Sequence, residues 1–556
     1  MEKIWLKEYP QGVPAEIDVD EFPSLREFLE QSFAKYRSLP AFTNMGHSIS
    51  FGELDEMSRY LGGWLQKNAG LAKGDRVAVM MPNIIQYAVA VAAILRAGLT
   101  VTNINPLYTP RELEHQLKDS GAKAIIIVEN FARTLEKVRH NTAVKTVVIT
   151  AIGDMLPVPK RQLVNFVIRK VKKMVPEYNI PDAVSFHKAL KEGKWQTLDR
   201  PELDHDDVAF LQYTGGTTGV AKGAILTHRN IIANLLQARA WLNATVTEGQ
   251  SIVITPLPLY HIFSLTANFF TFTLMGGNNI LITNPRDMPG FIKELKKHKF
   301  TFITGVNTLF NGLLNTPGFD EVDFSSLKAT LGGGMAVQRA VAERWKEVTG
   351  KPLIEAYGLT ETSPAACINP MTNTEFNGSI GLPISSTEVS IRDEDGRELG
   401  IGAVGEICIR GPQVMAGYWN RPDETAKVML EGGWFRSGDM GRMDDQGYIY
   451  IEDRKKDMIL VSGFNVYPNE VEGVVVMHPA VLEAAAVGIP DEKSGEIVKL
   501  FVVCREGQSV AEKELIDFCR ESLTGYKVPR LVEFRKELPK TNVGKILRRE
   551  LREGKA

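Results

Sequence analysis

Leu54, Met57, Leu61, Trp64 and Leu65 recur at steps of three and four residues, a spacing that predicts an amphipathic helix. The run RVAVMM that follows reads as a buried strand, IIQYAVAVAAIL as a helix and TVTNI as extended chain. Thr109 and Pro110 supply an N-cap and a first helical residue for RELEHQLKDSG, which leads into the strand AKAIIIVE. The alternation resumes with SIVIT, NNILIT, FTFIT and LKATLGG, separated by helix-length segments. Strands alternating with helices predict an α/β fold with a mostly parallel sheet, and such sheets bind ligands beyond the carboxyl ends of their strands.

After about residue 385 the pattern changes. STEVSIRD, GEICIRG and GYIYIED are short alternating segments broken by turns, which predicts a β-rich subdomain. From Asp453 onward, strands near AAAVGI and KLFVVC, a helix over 511–523 and a basic tail predict a small α+β unit. The expected division is a large unit over 1–452, a hinge over 453–458 within the charged junction IEDRKKDMI, and a small mobile unit over 459–556.

Length changes the picture little: 556 residues exceed one compact core. A net charge of −2 excludes the basic excess of a dedicated nucleic-acid binder. Cys367, Cys408, Cys504 and Cys519 lie far apart without a C-x-x-C, a usage that fits a reducing cytoplasm. The nine histidines form no H-x-x-x-H pair, so nothing argues for a protein-ligated transition metal. MEKIWLKEYPQG has no apolar h-region, so a secretory leader is not expected. The most apolar long window, residues 262–275, falls short of the ~20 residues that span a bilayer. Residues 159–175 carry six Lys or Arg and no acid between apolar positions. This segment reads equally as an amphipathic helix on anionic lipid, at the inner face of a membrane, or as a solvated surface helix. Monomer and homodimer are both left open.

The densest chemistry lies in YTGGTTGVAKG, residues 213–223. Two residues separate Gly219 from Lys222, and Gly223 follows where a P-loop needs Ser or Thr, so the stretch is not a Walker motif. It follows the strand DVAFLQY and is expected to open the helix THRNIIANLLQARAWL. In that setting Gly215, Gly216 and Gly219 let backbone N–H groups converge on an anion. Thr214, Thr217 and Thr218 add hydroxyls, and Lys222 a mobile charge; the alternative is a glycine-rich surface turn.

Farther on come LGGGMAV, EAYGLTET and GWFRSGD. Gly333 and Gly334 let a flat ring approach the backbone, and Tyr357 can cover its other face. Gly358 and Thr360 continue that turn; Glu361 suits Mg²⁺, which takes few carboxylates plus phosphate oxygens. Asp439 can accept hydrogen bonds from a ribose diol. Taken singly, a core tyrosine, a capping glutamate and a turn aspartate explain these residues as well.

Taken together, and in order with PLPLYH, IEDRKKDMILVSGFNVYPNEVE and PKTNVGKILRRELR, these blocks resemble the acyl-adenylate-forming (AMP-binding) superfamily. The later blocks are most similar to bacterial long-chain fatty acid–CoA ligases. The resemblance implies that a fatty carboxylate attacks the α-phosphate of Mg·ATP to give acyl-AMP and pyrophosphate, after which the thiol of coenzyme A displaces AMP. It also implies roles. Lys545 brings positive charge to the meeting anions, the 214–219 loop with Lys222 holds phosphates, and Glu361 and Thr214 face Mg²⁺. His261 sits at the acyl pocket, although a lone His beside an apolar run is also a common core residue. Asp453 is the hinge, Arg454 a ribose contact, and Gly463 leaves room for pantetheine after the small unit swings. Gly215 and Ala221 depart from the commoner Ser and Pro, which implies one fewer hydroxyl donor.

Residues 258–275 hold no Asp or Glu to pair a substrate ammonium, whereas Phe263, Leu265, Phe269 and Phe270 suit an aliphatic tail. Medium-chain and aryl acids remain alternatives. A fatty-acid transport protein retaining the fold and a phosphotransferase using the glycine loop are the other classes to separate.

Overall fold

The computed structural model describes residues 2–214, 221–243, 245–491, 493–541 and 544–554. Gly215, Gly216, Thr217, Thr218 and Gly219 therefore lie outside the described residues.

Among the described residues four sheets form. One holds the parallel strands Thr100–Asn103, Arg76–Met80, Ala124–Val128 and Thr146–Thr150, with Val208–Thr214 beside Thr100–Asn103. A second is built on Asn278–Leu281, Ile252–Thr255, Phe302–Gly305, Ala329–Gly333 and Leu353–Gly358, again all parallel. Strands of both sheets, Thr100–Asn103, Ala124–Val128, Phe302–Gly305 and Ala329–Gly333 among them, are buried at every position, as expected of parallel sheets covered on both faces. Helix Ile85–Arg96, buried along its whole length, and helix His228–Leu242 supply much of that covering core. The expected helix starts hold: Thr109 caps Pro110–Ser120 with a reciprocal bond to Glu112, and Gly121 ends it at φ +63°.

The third sheet is antiparallel and runs through Glu388–Arg392, Gly405–Arg410, Trp434–Met443 and Ile449–Arg454. The last of these strands carries Asp453 and Arg454 at its end, so the expected hinge begins inside a strand. Beyond it two small cores form, one around Val471, Leu500 and Leu515 and one around Val487 and Phe501. They belong to the fourth sheet, chiefly Val481–Asp491 against Gly495–Cys504, with helices Pro468–Val475 and Glu512–Ser522. The fold is thus mixed α/β with a large N-terminal part and a small C-terminal part.

Two expectations need correction. The glycine loop does not pass from strand to helix. It joins Val208–Thr214 to an antiparallel partner, Lys222–Thr227, and the helix starts only at His228. KGAILT pairs as a strand because Thr227, bonded reciprocally with Asn230, is the helix cap and everything before it is free to extend. The basic segment is not one long helix either. It is α-helical over Lys160–Phe166 and π-helical over Val167–Val171, and the left-handed Lys173 (φ 51°) stands just beyond. Among the described residues no helix is long and apolar enough to cross a membrane.

Candidate active site

One large cavity, about 700 Å³, opens where the carboxyl ends of the second sheet meet the first sheet, the antiparallel sheet and the C-terminal unit. Thr214, Lys222, His261, Gly333, Gly334, Tyr357, Gly358, Thr360, Glu361, Arg454 and Lys545 line it. Sequence positions more than 300 residues apart therefore meet in one space.

One stretch of the wall combines closely packed backbone with polar side chains. Gly333 ends its strand so close to the neighbouring chain that a Cβ there would stand 2.8 Å from the Ala356 carbonyl oxygen and 3.3 Å from the Phe263 ring. Tyr357 on the adjacent strand donates its phenol proton to Asp439 Oδ2 at 2.7 Å. Arg454 Nε lies 3.3 Å from the other Asp439 oxygen. Asp439 is 4% exposed and does not itself line the cavity; its carboxylate is held by the phenol and the guanidinium of two residues that do.

A second stretch of the wall is charged. Thr214 and Lys222 are cross-strand partners at the loop end of the hairpin whose connection carries the glycines. Lys222 Nζ pairs with Glu424 Oε2 at 2.7 Å, and that contact drives the Glu424 carboxyl down to about 2. Glu361 is 8% exposed and accepts a hydrogen bond from the Tyr418 hydroxyl at 2.6 Å. Among the described residues no cluster of three His, Cys, Asp or Glu could cage a metal ion. A single wall carboxylate beside threonine hydroxyls nevertheless fits Mg²⁺, which completes its shell with phosphate oxygens and water.

Lys545 enters from the C-terminal unit, tied to Thr541 by a backbone hydrogen bond. Thr541 N–H donates to the Lys545 carbonyl at 2.7 Å, and Gly544 N–H to the Thr541 carbonyl at 3.0 Å. Burial and the nearby Arg454 charge push the Lys545 ammonium down to about 7. Burial, then the Lys545 charge, push the His261 imidazole down to about 4, so it is neutral at physiological pH. His261 Nδ1 accepts from the Phe263 N–H at 3.3 Å and opens the segment Ile262–Ser264, which passes into the π-helical turn Leu265–Phe270.

Part of the cavity wall is apolar. Ala238 and Leu242, one turn apart on helix His228–Leu242, line it together with Ala267, Phe302, Leu331 and Ile368. The polar residues here are already satisfied. Asn234 exchanges hydrogen bonds with the Ala365 backbone at 2.9 and 3.1 Å, and Thr266 donates to the Ser363 carbonyl at 2.8 Å. No carboxylate lines this half, so it suits an aliphatic or aromatic tail and leaves an ammonium unpaired.

The cavity does not bring in Gly463, which sits on an exposed turn at φ +83° with open space where a Cβ would be. Asp453 stands behind the wall, fully buried, accepting from the Asn469 and Arg454 N–H groups at 2.8 and 2.6 Å. Burial pushes its carboxyl up to about 6 despite Arg548 at 3.5 Å. Sequence reasoning missed Tyr418 and Glu424, which touch Glu361 and Lys222. Tyr418 lies on a two-residue strand, too short to show a period.

Comparison with known proteins gives the same outline. The chain matches the AMP-binding enzyme family over residues 29–419 and the AMP-binding enzyme C-terminal domain over residues 470–545. It is 58% identical over 553 residues to a long-chain-fatty-acid–CoA ligase of Escherichia coli O157:H7, covering 100% of this chain and 98% of the relative. A long-chain-fatty-acid–CoA ligase of Bacillus subtilis (strain 168) is 41% identical, with 99% and 98% covered. Among solved structures, ATP-bound MatB of Rhodopseudomonas palustris superposes with a TM-score of 0.81 at 26% identity, covering 95% of this chain and 98% of that one. An anthranilate CoA ligase in complex with anthranoyl-AMP shares the fold, with a TM-score of 0.86 at 24% identity and 97% and 99% covered.

Proposed function

The chain belongs to the AMP-binding enzyme family, and from that premise we propose that its cavity joins a long-chain fatty acid to coenzyme A through an acyl-adenylate, consuming ATP and releasing pyrophosphate and AMP. Full-length identity of 58% to long-chain-fatty-acid–CoA ligases supports the reaction and the substrate class. The observation that carries the site is the meeting of Lys545, Glu361 and His261 on one cavity whose lining also includes Ala238, Leu242, Phe302 and Leu331.

The chemistry follows from charge. A carboxylate approaching a triphosphate meets like charge, so the first step needs cations aimed at the oxygens that become more negative. In our reading Lys545 does this at the α-phosphate, and Lys222 with the 214–219 loop holds the phosphates that leave. Tyr357, Asp439 and Arg454 orient the nucleoside, with the purine against Gly333 and Gly334. Mg²⁺ held by Glu361, with the Thr214 hydroxyl near, supplies Lewis-acid neutralisation of phosphate charge when bound. Neutral His261 borders the acyl carboxylate without repelling Lys545. After adenylation the small unit over 459–556 turns about Asp453, withdrawing Lys545 and bringing Gly463 to the cavity for the pantetheine arm.

The test is an acyl-chain panel with CoA and Mg·ATP, scoring AMP and thioester together. AMP with pyrophosphate and a maximum at long chains are expected. ADP as product removes the adenylation reading, and a maximum at benzoate or octanoate shifts the substrate class.

Peripheral contact with the inner face of an anionic membrane is a second reading. It is supported by Val158, Leu163, Phe166, Val171 and Met174, all more than half exposed on one segment with the exposed cations Lys170, Lys172 and Lys173. Co-sedimentation with phosphatidylglycerol vesicles should fall when those three lysines become glutamines. Unchanged sedimentation removes this reading and leaves the cytoplasmic enzyme, whether monomer or homodimer.

A further inference from the structure

Tyr418 touches two of the charged groups of the cavity wall, Glu361 and Lys222. Its hydroxyl donates to Glu361 Oε1 at 2.6 Å, and Lys222 Nζ stands 4.6 Å from its ring centroid. The side chain is 7% exposed and lines the cavity.

Backbone contacts tie this tyrosine to both partners. Strand Gly417–Tyr418 pairs antiparallel with Lys222–Thr227, placing Tyr418 opposite Ala224, and the Trp419 N–H donates to the Gly223 carbonyl at 2.8 Å. On the other side the Met415 N–H donates to the Glu361 carbonyl at 2.8 Å. The Tyr418 N–H is held by Thr425 Oγ1 at 2.9 Å. Thr425 belongs to helix Pro422–Val428, the helix that presents Glu424 to Lys222. Lys222, Glu361 and Glu424 thus share one scaffold centred on a single phenol.

We propose that Tyr418 is a positioning residue for the metal–triphosphate half of the site, a reading that rests on the ligase function above. Its hydroxyl holds one oxygen of Glu361 and leaves the other for the cation. A carboxylate already fixed in one orientation loses less freedom on binding than a mobile one. A phenol bonded to a carboxylate is a charge-assisted contact, stronger than one between neutral groups. The ring face attracts the Lys222 ammonium and holds it at the cavity wall when phosphate replaces Glu424 as its partner.

The test separates the hydroxyl from the ring. Tyr418→Phe keeps the ring and removes the proton donor; Tyr418→Leu removes both. Mn²⁺ binding is read by electron paramagnetic resonance with α,β-methylene-ATP present, and binding of the same nucleotide without metal by calorimetry. Tyr418→Phe is expected to raise the Mn²⁺ dissociation constant about tenfold while metal-free nucleotide binding changes less than twofold. Tyr418→Leu is expected to weaken both. Unchanged Mn²⁺ affinity in Tyr418→Phe overturns the proposal, as does an equal loss of metal-dependent and metal-free binding. Absence of metal-dependent nucleotide binding in the unaltered protein overturns the ligase reading, and this one with it.

Discussion

Thr308 donates its hydroxyl proton to the Gly544 carbonyl at 3.1 Å, fastening the turn that carries Lys545 to helix Asn307–Leu314 of the large unit. Gly544 sits at φ +84°, and a Cβ there would stand 2.5 Å from Thr308 Oγ1. Both the left-handed backbone and the space demand glycine. Gly544→Ala should therefore lower acyl-adenylate formation by about 100-fold through displacement of Lys545, the scale of a misplaced catalytic group. Pyrophosphate exchange measures that step. Thioester formation from supplied acyl-AMP should persist, because in the proposed cycle Lys545 has left by then. Equal loss of both half-reactions would argue against the alternating roles.

The depressed Lys545 ammonium predicts a pH profile. An amine brought down to about 7 is protonated below that pH and neutral above it. The proposed step needs the charge, so kcat/KM for ATP in pyrophosphate exchange should fall as pH rises through about 7, since that ratio reports the free enzyme. His261, at about 4, adds no limb between pH 5 and 9. The Lys545→Arg variant, charged throughout, should flatten whatever activity it keeps. A flat profile in the unaltered protein from pH 6 to 9 would remove Lys545 as the titrating group.

Stability carries a second titration. Glu355 is 5% exposed, accepts the Val337 N–H at 3.1 Å, and burial lifts its carboxyl to about 8. A carboxyl raised on folding binds its proton more tightly in the native state. Its contribution is full below the unfolded value near 4.5 and is lost as pH rises through about 8. The slope is at most about 1.4 kcal/mol per pH unit for one group. Glu355→Gln keeps a carbonyl for Val337 and cannot ionise, so its Tm should decline less than that of the parent between pH 5 and 8.5. Parallel Tm curves would show that Glu355 does not titrate in that window.

The parts of the fold legible in the sequence are those with a period. Ile85–Arg96, Pro110–Ser120 and the parallel strands announce themselves through apolar spacing and caps, and the β-rich change after residue 385 through alternation. Lys222–Thr227 was hidden because its six residues run into a helix without a turn residue between them. The site was legible only as a set of separate motifs. Nothing local in TNVGKILRR marks Lys545 for a cavity, since that depends on a turn held by Thr308, more than 200 residues earlier. Tyr418 and Glu424 act through pairs that exist only once Gly417–Tyr418 docks on the hairpin.

The tunnel's depth makes the final prediction. Ala238 is 9% exposed and presents its methyl to the apolar half of the cavity, one turn before Leu242. Helix His228–Leu242 is buried along most of its length, so its backbone cannot retreat from a larger side chain. Ala238→Trp should fill the space that the distal part of a long acyl chain would occupy, leaving room near His261. Each buried methylene contributes about 0.8 kcal/mol, so excluding four of them costs about 3 kcal/mol, or on the order of 100-fold in kcat/KM for palmitate. Octanoate, which ends before the obstruction, should change by less than about threefold. The chain-length optimum then moves shorter while the KM for ATP holds. If the variant loses palmitate and octanoate alike, Ala238 does not border the distal tunnel; if it loses neither, the acyl chain takes another path.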